Sequence, residues 1–239
     1  MLKSIVRSAI RKCGYDLRRY DLISADGPRL IAMLASHGVD VVFDVGANIG
    51  QFGQFLRGLG YRGRIVSFEP LSSVWEQLAE ACRNDPGWTV ADPAALGSED
   101  SQIEINVSKM SASSSALQML RIHTEVAPGT EYVRKERVPL KRLDSVGPQY
   151  LHDDSRLFIK IDTQGFEAEV LKGATRLLDR TIGLHLELSF IPLYKDQCLY
   201  DEMIEIVKAK GFDLWAISPV ISDPRTGRLL QADATFFRT

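Results

Sequence analysis

The stretch Val41-Val42-Phe43-Asp44-Val45-Gly46-Ala47-Asn48-Ile49-Gly50 decides the fold. An apolar run ends in an acid and breaks into small residues, and then Phe52, Phe55, Leu56 and Leu59 resume at helical spacing. That pattern predicts a buried strand, a tight turn and a helix start, the first unit of a doubly wound α/β sheet. Gly46 and Gly50 allow backbone torsions and a close approach that a Cβ would block. The helix start offers N–H groups with no partner inside the helix. Ligands of such sheets sit beyond the carboxyl ends of the strands, so this turn is a binding site.

The wording of the turn narrows the ligand. A dinucleotide fingerprint reads G-x-G-x-x-G, its second Gly admitting a pyrophosphate. Here Asn48 takes the place of the middle Gly and Asp44 precedes the turn. An acid there repels a pyrophosphate and suits an ammonium, and S-adenosylmethionine carries an amine and a sulfonium. A second buried strand, Ile65 to Phe68, ends in Glu69, the usual place for an acid that accepts hydrogen bonds from ribose hydroxyls. After a third strand at Trp88 to Ala91, Asp92 either reads an adenine amine or caps a turn, and Ala95 offers its backbone.

Two later strands carry candidate chemistry. Leu157 to Asp162 places Asp162 at a strand's carboxyl end, where it is a base for an acceptor hydroxyl, orients that hydroxyl, or caps a turn. Lys160 lies two residues earlier on the same face, and a lysine in an apolar strand needs a partner; Asp162 and Glu187 are the natural ones. In Ile182 to Leu188, His185 and Glu187 share a face. Glu187 is assigned to the acceptor or to base duty, and His185 is a base, a group that orients one, or a satisfied core histidine. Glu167 and Glu169 read as first-turn acids of the next helix, with Glu167 within reach of the site. Asp162, His185 and Glu187 also admit a Mg²⁺ reading, although no spacing demands a metal.

Taken together, "FDVGANIGQF" (43–52), "VSFEP" (66–70), the serine-rich loop at 111–115, "FIKIDTQGFEAEVLKGA" (158–174) and "LHLELSFIPLY" (184–194) resemble the FkbM family of S-adenosylmethionine-dependent O-methyltransferases. Within it, the chain is similar to actinobacterial members that methylate sugar hydroxyls of glycolipids and polysaccharides. The resemblance implies a Rossmann-like class I methyltransferase fold, with a seven-stranded mostly parallel sheet, an antiparallel last strand and a small β insertion. It implies S-adenosylmethionine as the cofactor and a saccharide or glycolipid acceptor. Asp44, Gly46, Ala47, Asn48 and Gly50 then cradle the amino-acid end of the cofactor and Glu69 holds its ribose. One departure stands out: the common family wording Lys-Ile-Asp-Val-Glu-Gly is here Lys160-Ile161-Asp162-Thr163-Gln164-Gly165. A role needing negative charge at position 164 is lost, whereas hydrogen bonding is kept.

The remaining segments frame this site. Residues 1–40 are expected to be a helical segment and 41–239 the methyltransferase domain, with an insertion at about 98–150. Residues 2–13 place Leu2, Ile5, Val6, Ala9 and Ile10 on one face with Lys3, Arg7, Arg11 and Lys12 mostly elsewhere. They read as a basic helix resting on an anionic membrane or a glycolipid, or as a surface helix packed over the domain. Residues 18–21 are an irregular linker and 28–36 a helix. The 109–117 loop either closes over the ligands or is a flexible connection, and His123 beyond it reads as solvated rather than catalytic. Residues 102–107 and 131–143 read as a hairpin-like insertion. Tyr194 and Phe190 offer aromatic faces of the kind that stack on sugars. Residues 200–210 form a helix, and 212–217 and 232–237 the last two strands.

Bulk properties exclude several classes. A net charge of −2 provides no field to recruit nucleic acid. Three scattered cysteines, Cys13, Cys82 and Cys198, suit a reducing cytoplasm, with the membrane's inner face open to the N-terminal helix. No run approaches the roughly 20 apolar residues of a bilayer span, and the N-terminus does not read as a signal peptide. Two other chemistries compete with the sugar reading. One is O-methylation of a polyketide hydroxyl. The other is an NAD-dependent nucleotide-sugar oxidoreductase, which the missing Gly and the lack of a Tyr-x-x-x-Lys pair disfavour.

Overall fold

A computed structural model describes residues 2–17 and 19–238, without the side chains of 2–5. The faces expected of the Leu2, Lys3 and Ile5 side chains on the first helix, and the linker position of Arg18, lie outside what is described. Two helices, α1 (Leu2–Lys12) and α2 (Asp26–Ser36), lead into β1 (Val41–Val45), all five residues of which are buried. The chain continues through α3 (Gln51–Gly58), β2 (Arg64–Phe68), α4 (Ser72–Cys82), β3 (Trp88–Val90), β4 (Ala95–Leu96) and β5 (Ser101–Ser108). Next come α5 (Arg121–Val126), β6 (Tyr132–Lys141), α6 (Leu143–Val146), β7 (Leu157–Ile161), α7 (Glu167–Lys172) and α8 (Thr175–Leu178). The end is β8 (Thr181–Ser189), α9 (Tyr200–Ala209), β9 (Phe212–Ser222) and β10 (Leu229–Arg238).

Seven strands form one sheet in the order β3-β2-β1-β7-β8-β10-β9. All pairs are parallel except those of β10, which runs against both β8 and β9. Because β1 and β7 are apolar on both faces, each face needs a cover. Val41, Phe43 and Val45 pack with Ile159 and Ile161 against α7, α8 and α9. Val42 and Phe158 pack on the other side with Leu30 and Leu34 of α2 and Leu56 of α3. On that second face the apolar pattern is broken by Asp44 and Lys160, which are partners in register. A smaller sheet, β4-β6-β5, holds the expected insertion, with β5 and β6 antiparallel.

The last two strands are longer than the sequence pattern suggests. The strand expected at 212–217 runs on through Pro219 to Ser222. It is the sheet's edge, where a proline's missing N–H leaves no ladder bond unmade. Among the described residues, no helix is long and apolar enough to cross a membrane.

Gly53 shows how tightly the second face is packed. A Cβ there would lie 2.1 Å from the Trp88 ring, and that indole is itself tethered, donating from Nε1 to the Ser67 hydroxyl at 2.9 Å. Helix propensity alone makes Gly→Ala stabilising by up to about 1 kcal/mol. Here Gly53→Ala is expected to destabilise by about 1–3 kcal/mol through overpacking. Urea unfolding tests this, and a raised midpoint would overturn the packing argument.

Candidate active site

Strand order reverses between β1 and β7, with β2 and β3 on one side and β8 and β10 on the other. Crevices form at such a switch point, and a cleft of about 490 Å³ opens there. Its floor follows from register. Asp44, Lys160, His185 and Thr235 are consecutive cross-strand neighbours on β1, β7, β8 and β10. Two residues further along the parallel strands lies a second row. Asp162 follows Ile161 and Glu187 follows Leu186, its partner, while Asp233 of β10 stands opposite Glu187.

The first row is held by an ion pair. The Lys160 ammonium is 3.1 Å from Asp44 Oδ1 and 3.6 Å from Asp162 Oδ2, and it donates to the Gly46 carbonyl at 3.1 Å. Asp44 is wholly buried and receives no hydrogen bond of good geometry on either oxygen. Burial works against the lysine's charge, but Asp44 and then Asp162 prevail, and its pKa is held above the usual lysine range. Burial drives the Asp44 carboxyl upward and Lys160 opposes that shift. At 3.1 Å from a retained ammonium, the pair is ionic. Lys160 thus has Asp44 as its nearest partner, not only the acids expected beyond it. His185 donates to or accepts from the Thr235 hydroxyl at 2.9 Å and stacks on Phe52 at 5.6 Å; its Nε2 lies 3.6 Å from Asp233.

The turn after β1 is pinned by its surroundings. Gly46 has φ +73°, and a Cβ there would meet the Asp162 carbonyl oxygen at 1.9 Å, so only glycine fits. The amides of Gly46 and Ala47 both donate to the Phe68 carbonyl, Asn48 N–H to Glu69 Oε2, Ile49 N–H to Asn48 Oδ1, and Gly50 N–H to the Ala47 carbonyl. All five turn amides are therefore engaged, and none is left for a pyrophosphate. Glu69 also accepts from Leu71 N–H through Oε1. Each of its oxygens keeps a lone pair for a further donor. Burial pushes its pKa up to about 7, against the pull of those two amides.

The second row is bridged by the residue that departs from the family wording. Gln164, at φ +55°, donates from Nε2 to Asp162 Oδ1 and to Glu187 Oε2, each at 2.8 Å. Burial, and then the nearby charges of Asp162, Glu167 and Asp233, raise the Glu187 pKa well above the carboxylate range. Glu167 does not reach the cleft. Its Oε1 accepts from the amides of Thr163 and Gly165 and holds the loop behind Asp162. The serine-rich segment closes one side: the Asn48 amide donates to the Ser111 hydroxyl at 3.0 Å, and Ser115 to the Gln164 carbonyl at 2.7 Å.

Of the expected site residues, Gly46, Ala47, Asn48, Glu69, Ala95, Lys160, Asp162, His185 and Glu187 line the cleft. Asp44, Gly50 and Asp92 do not. Asp44 faces Lys160 beneath the floor, Gly50 packs against Leu78 and Trp88, and Asp92 is exposed to solvent. Three readings are corrected. His123 is buried rather than solvated, and Tyr194 is wholly buried rather than open to a sugar. Phe190 packs at a tilt against Tyr200, ring centroids 4.8 Å apart, instead of lining the cleft. Asp233 and Thr235 line the cleft without having been singled out; their alternation in β10 was visible, but not the strand they pair with. Among the described residues no group of three or more His, Cys, Asp or Glu is placed to hold a metal ion.

The sheet order, with a cleft at its switch point, defines a Rossmann-like methyltransferase fold. The family model for the methyltransferase FkbM domain matches residues 44–214, most of the chain, and the protein belongs to that family. It is 26% identical over 145 residues to the hexuronic acid methyltransferase AglP of Haloferax volcanii, covering 58% of this chain and 52% of the relative. The chain thus spans about half the length of that curated relative. Among solved structures, an S-adenosylmethionine dependent methyltransferase from Mesorhizobium loti has a TM-score of 0.47 and 9% identity, over 91% of this chain and all of the other. Aeropyrum pernix fibrillarin with bound S-adenosyl-L-methionine has a TM-score of 0.44 and 12% identity, over 86% and 74%. At that distance neither informs the chemistry.

Replacing Lys160 tests the floor. Lys160→Met leaves Asp44 as an uncompensated buried charge, at a cost of about 3–5 kcal/mol at neutral pH. Without the ammonium the folded Asp44 pKa rises further above its unfolded value, so stability is retained at low pH and lost as pH rises. The deficit should be smaller at pH 5 than at pH 8 in urea unfolding, and Asp44→Asn in the same chain should recover much of it. An equal deficit at both pH values would refute the ion pair's role.

Proposed function

We propose that this methyltransferase moves a methyl group from S-adenosylmethionine to a sugar hydroxyl of a glycolipid or polysaccharide precursor. The observation that carries the reading is a pair of bridged acids, Asp162 and Glu187, on the floor of a cleft whose glycine turn has no amide left for a pyrophosphate. That same turn weighs against a nicotinamide dinucleotide. The cleft's volume is in the usual range for small-molecule sites.

Bound S-adenosylmethionine supplies an electrophilic methyl carbon on a sulfonium leaving group. Glu69 fits the ribose, since each carboxylate oxygen holds one backbone N–H and can accept one hydroxyl. The acceptor hydroxyl oxygen forms the new bond to the methyl carbon as the carbon–sulfur bond breaks. Its proton goes to Asp162, whose carboxylate is partly open to the cleft and lies 3.6 Å from the Lys160 ammonium. Glu187 and His185 contact the acceptor beside it. The sugar assignment draws on the hexuronic acid methyltransferase relative.

A lipid-carried saccharide at the inner membrane face is supported by the surroundings of the cleft. A second hollow shares Asp26, Arg29 and Pro219 with it and is lined by Arg7, Arg19, Leu17 and Ile23. Tyr15, Tyr20 and Ile23, in the same stretch of chain as these lining residues, are strongly exposed. The insertion at about 98–150, above the cleft's other side, shapes acceptor choice.

Transfer of labelled methyl from S-adenosylmethionine to a saccharide panel tests the reading, and incorporation only into non-sugar hydroxyls would overturn the sugar assignment. Asp162→Asn is expected to lower kcat by about 10²–10⁴-fold. The Glu69 carboxyl, at about 7, must be ionised to accept both ribose hydroxyls. Affinity for S-adenosylhomocysteine should therefore weaken below pH 7, approaching about tenfold per pH unit. Calorimetry from pH 5.5 to 8.5 checks this, and a flat profile would remove Glu69 from the ribose.

A further inference from the structure

A buried polar chain runs from the insertion to the two bridged acids, and methyl transfer as described makes no use of it. The Tyr194 hydroxyl donates to Gln164 Oε1 at 2.7 Å and lies 3.2 Å from His123 Nε2. His123 Nδ1 lies 3.1 Å from the Thr130 hydroxyl. Tyr194 and His123 are 0% and 1% exposed, so water does not reach the phenol or the imidazole.

A carboxamide has nearly the same shape either way round, so packing does not decide which end of Gln164 faces the acids. Hydrogen bonding does. With the amide turned over, its oxygen would confront two carboxylates; as placed, the single nitrogen gives one hydrogen to each. Tyr194 has one proton to give. When it goes to Gln164 Oε1, the phenol oxygen can accept from His123 Nε2–H, while the Thr130 hydroxyl gives its own proton to the Ala127 carbonyl at 2.7 Å. Burial lowers the His123 pKa, so the neutral ring, with one N–H to place, is the relevant form. A glutamate at 164, as in the common family wording, would bring a third carboxylate instead of a donor.

We propose that Gln164 is a positioning residue that clamps Asp162 and Glu187 together, and that His123 of the insertion, through Tyr194, fixes the direction of its amide. The inference rests on the reading of those two acids as facing the acceptor. It makes the insertion a determinant of the acids' charge as well as of acceptor shape. The other groups that face the pair are Lys160 on β7, Asp44 on β1, His185 on β8, Asp233 on β10 and Glu167 on α7. None of them is altered by changing Tyr194, so a shift in the pair's titration reports the amide.

The test is a carboxyl ¹³C NMR titration of the full-length protein with labelled Asp and Glu, in the native chain and in Tyr194→Phe. Losing the phenol proton frees the Gln164 amide to rotate, and repulsion between the acids then favours protonation. The highest-titrating carboxyl should move up by about one pKa unit or more, with S-adenosylhomocysteine affinity within about twofold of the native value. Should Tyr194→Phe not fold, Gln164→Met, of similar length but without a donor, is expected to give the same upward shift. An unchanged titration in a folded variant overturns the clamp. The titration needs no acceptor, so failure of the native protein to methylate any saccharide would count against the proposed function and not against this inference.

Discussion

An ammonium and a carboxylate with almost no access to water lie at the centre of the sheet, and the site is built on them. Asp44 and Lys160 sit side by side on β1 and β7, where flanking positions are wholly apolar. Removing either charge from such a pair leaves the other stranded, which is far costlier than the pair itself is stabilising. The pair also reaches outward. Lys160 donates to the Gly46 carbonyl, which ties the glycine turn to the floor, and its charge lies under Asp162.

Register then distributes function across strands that are far apart in sequence. Because β10 runs antiparallel between β8 and β9, Asp233 and Thr235 come beside Glu187 and His185. Several acids in a low-dielectric cleft repel one another, and the charges of Asp162, Glu167 and Asp233 add to burial in raising the Glu187 pKa. Lys160 beneath and the Gln164 amide between them offset that repulsion. The departure of this chain from the usual family wording is thus compatible with the site, since an amide bridges where a further carboxylate would add charge.

The insertion is more than a cover. It has its own small core around Ile105, Val107, Val138 and Leu140, yet sends Ser111 to Asn48, Ser115 to the Gln164 backbone, and His123 to Tyr194. A histidine in a segment rich in loop residues reads as solvated because local sequence records no burial. Here Thr130, just before β6, and Tyr194, in the loop after β8, pack against it. The same closure removes Tyr194 from the surface.

By itself the sequence determined the α/β class, the succession of strands and helices, the glycine turn, and the acids at the ends of β2, β7 and β8. These are properties of short windows, where apolar periodicity and chain-breaking residues act locally. It also carried the family resemblance, because that lies in contiguous motifs. Only the tertiary structure decided that Asp44 pairs with Lys160 instead of facing the ligand, that Asp92 stands in solvent, and that Asp233 joins the cleft. It alone decided that Gln164 answers to Tyr194 and His123. The physical reason is that burial, charge and hydrogen-bond direction belong to neighbours in space, and here those neighbours are brought together by strand register and by a loop closing from a distant part of the chain.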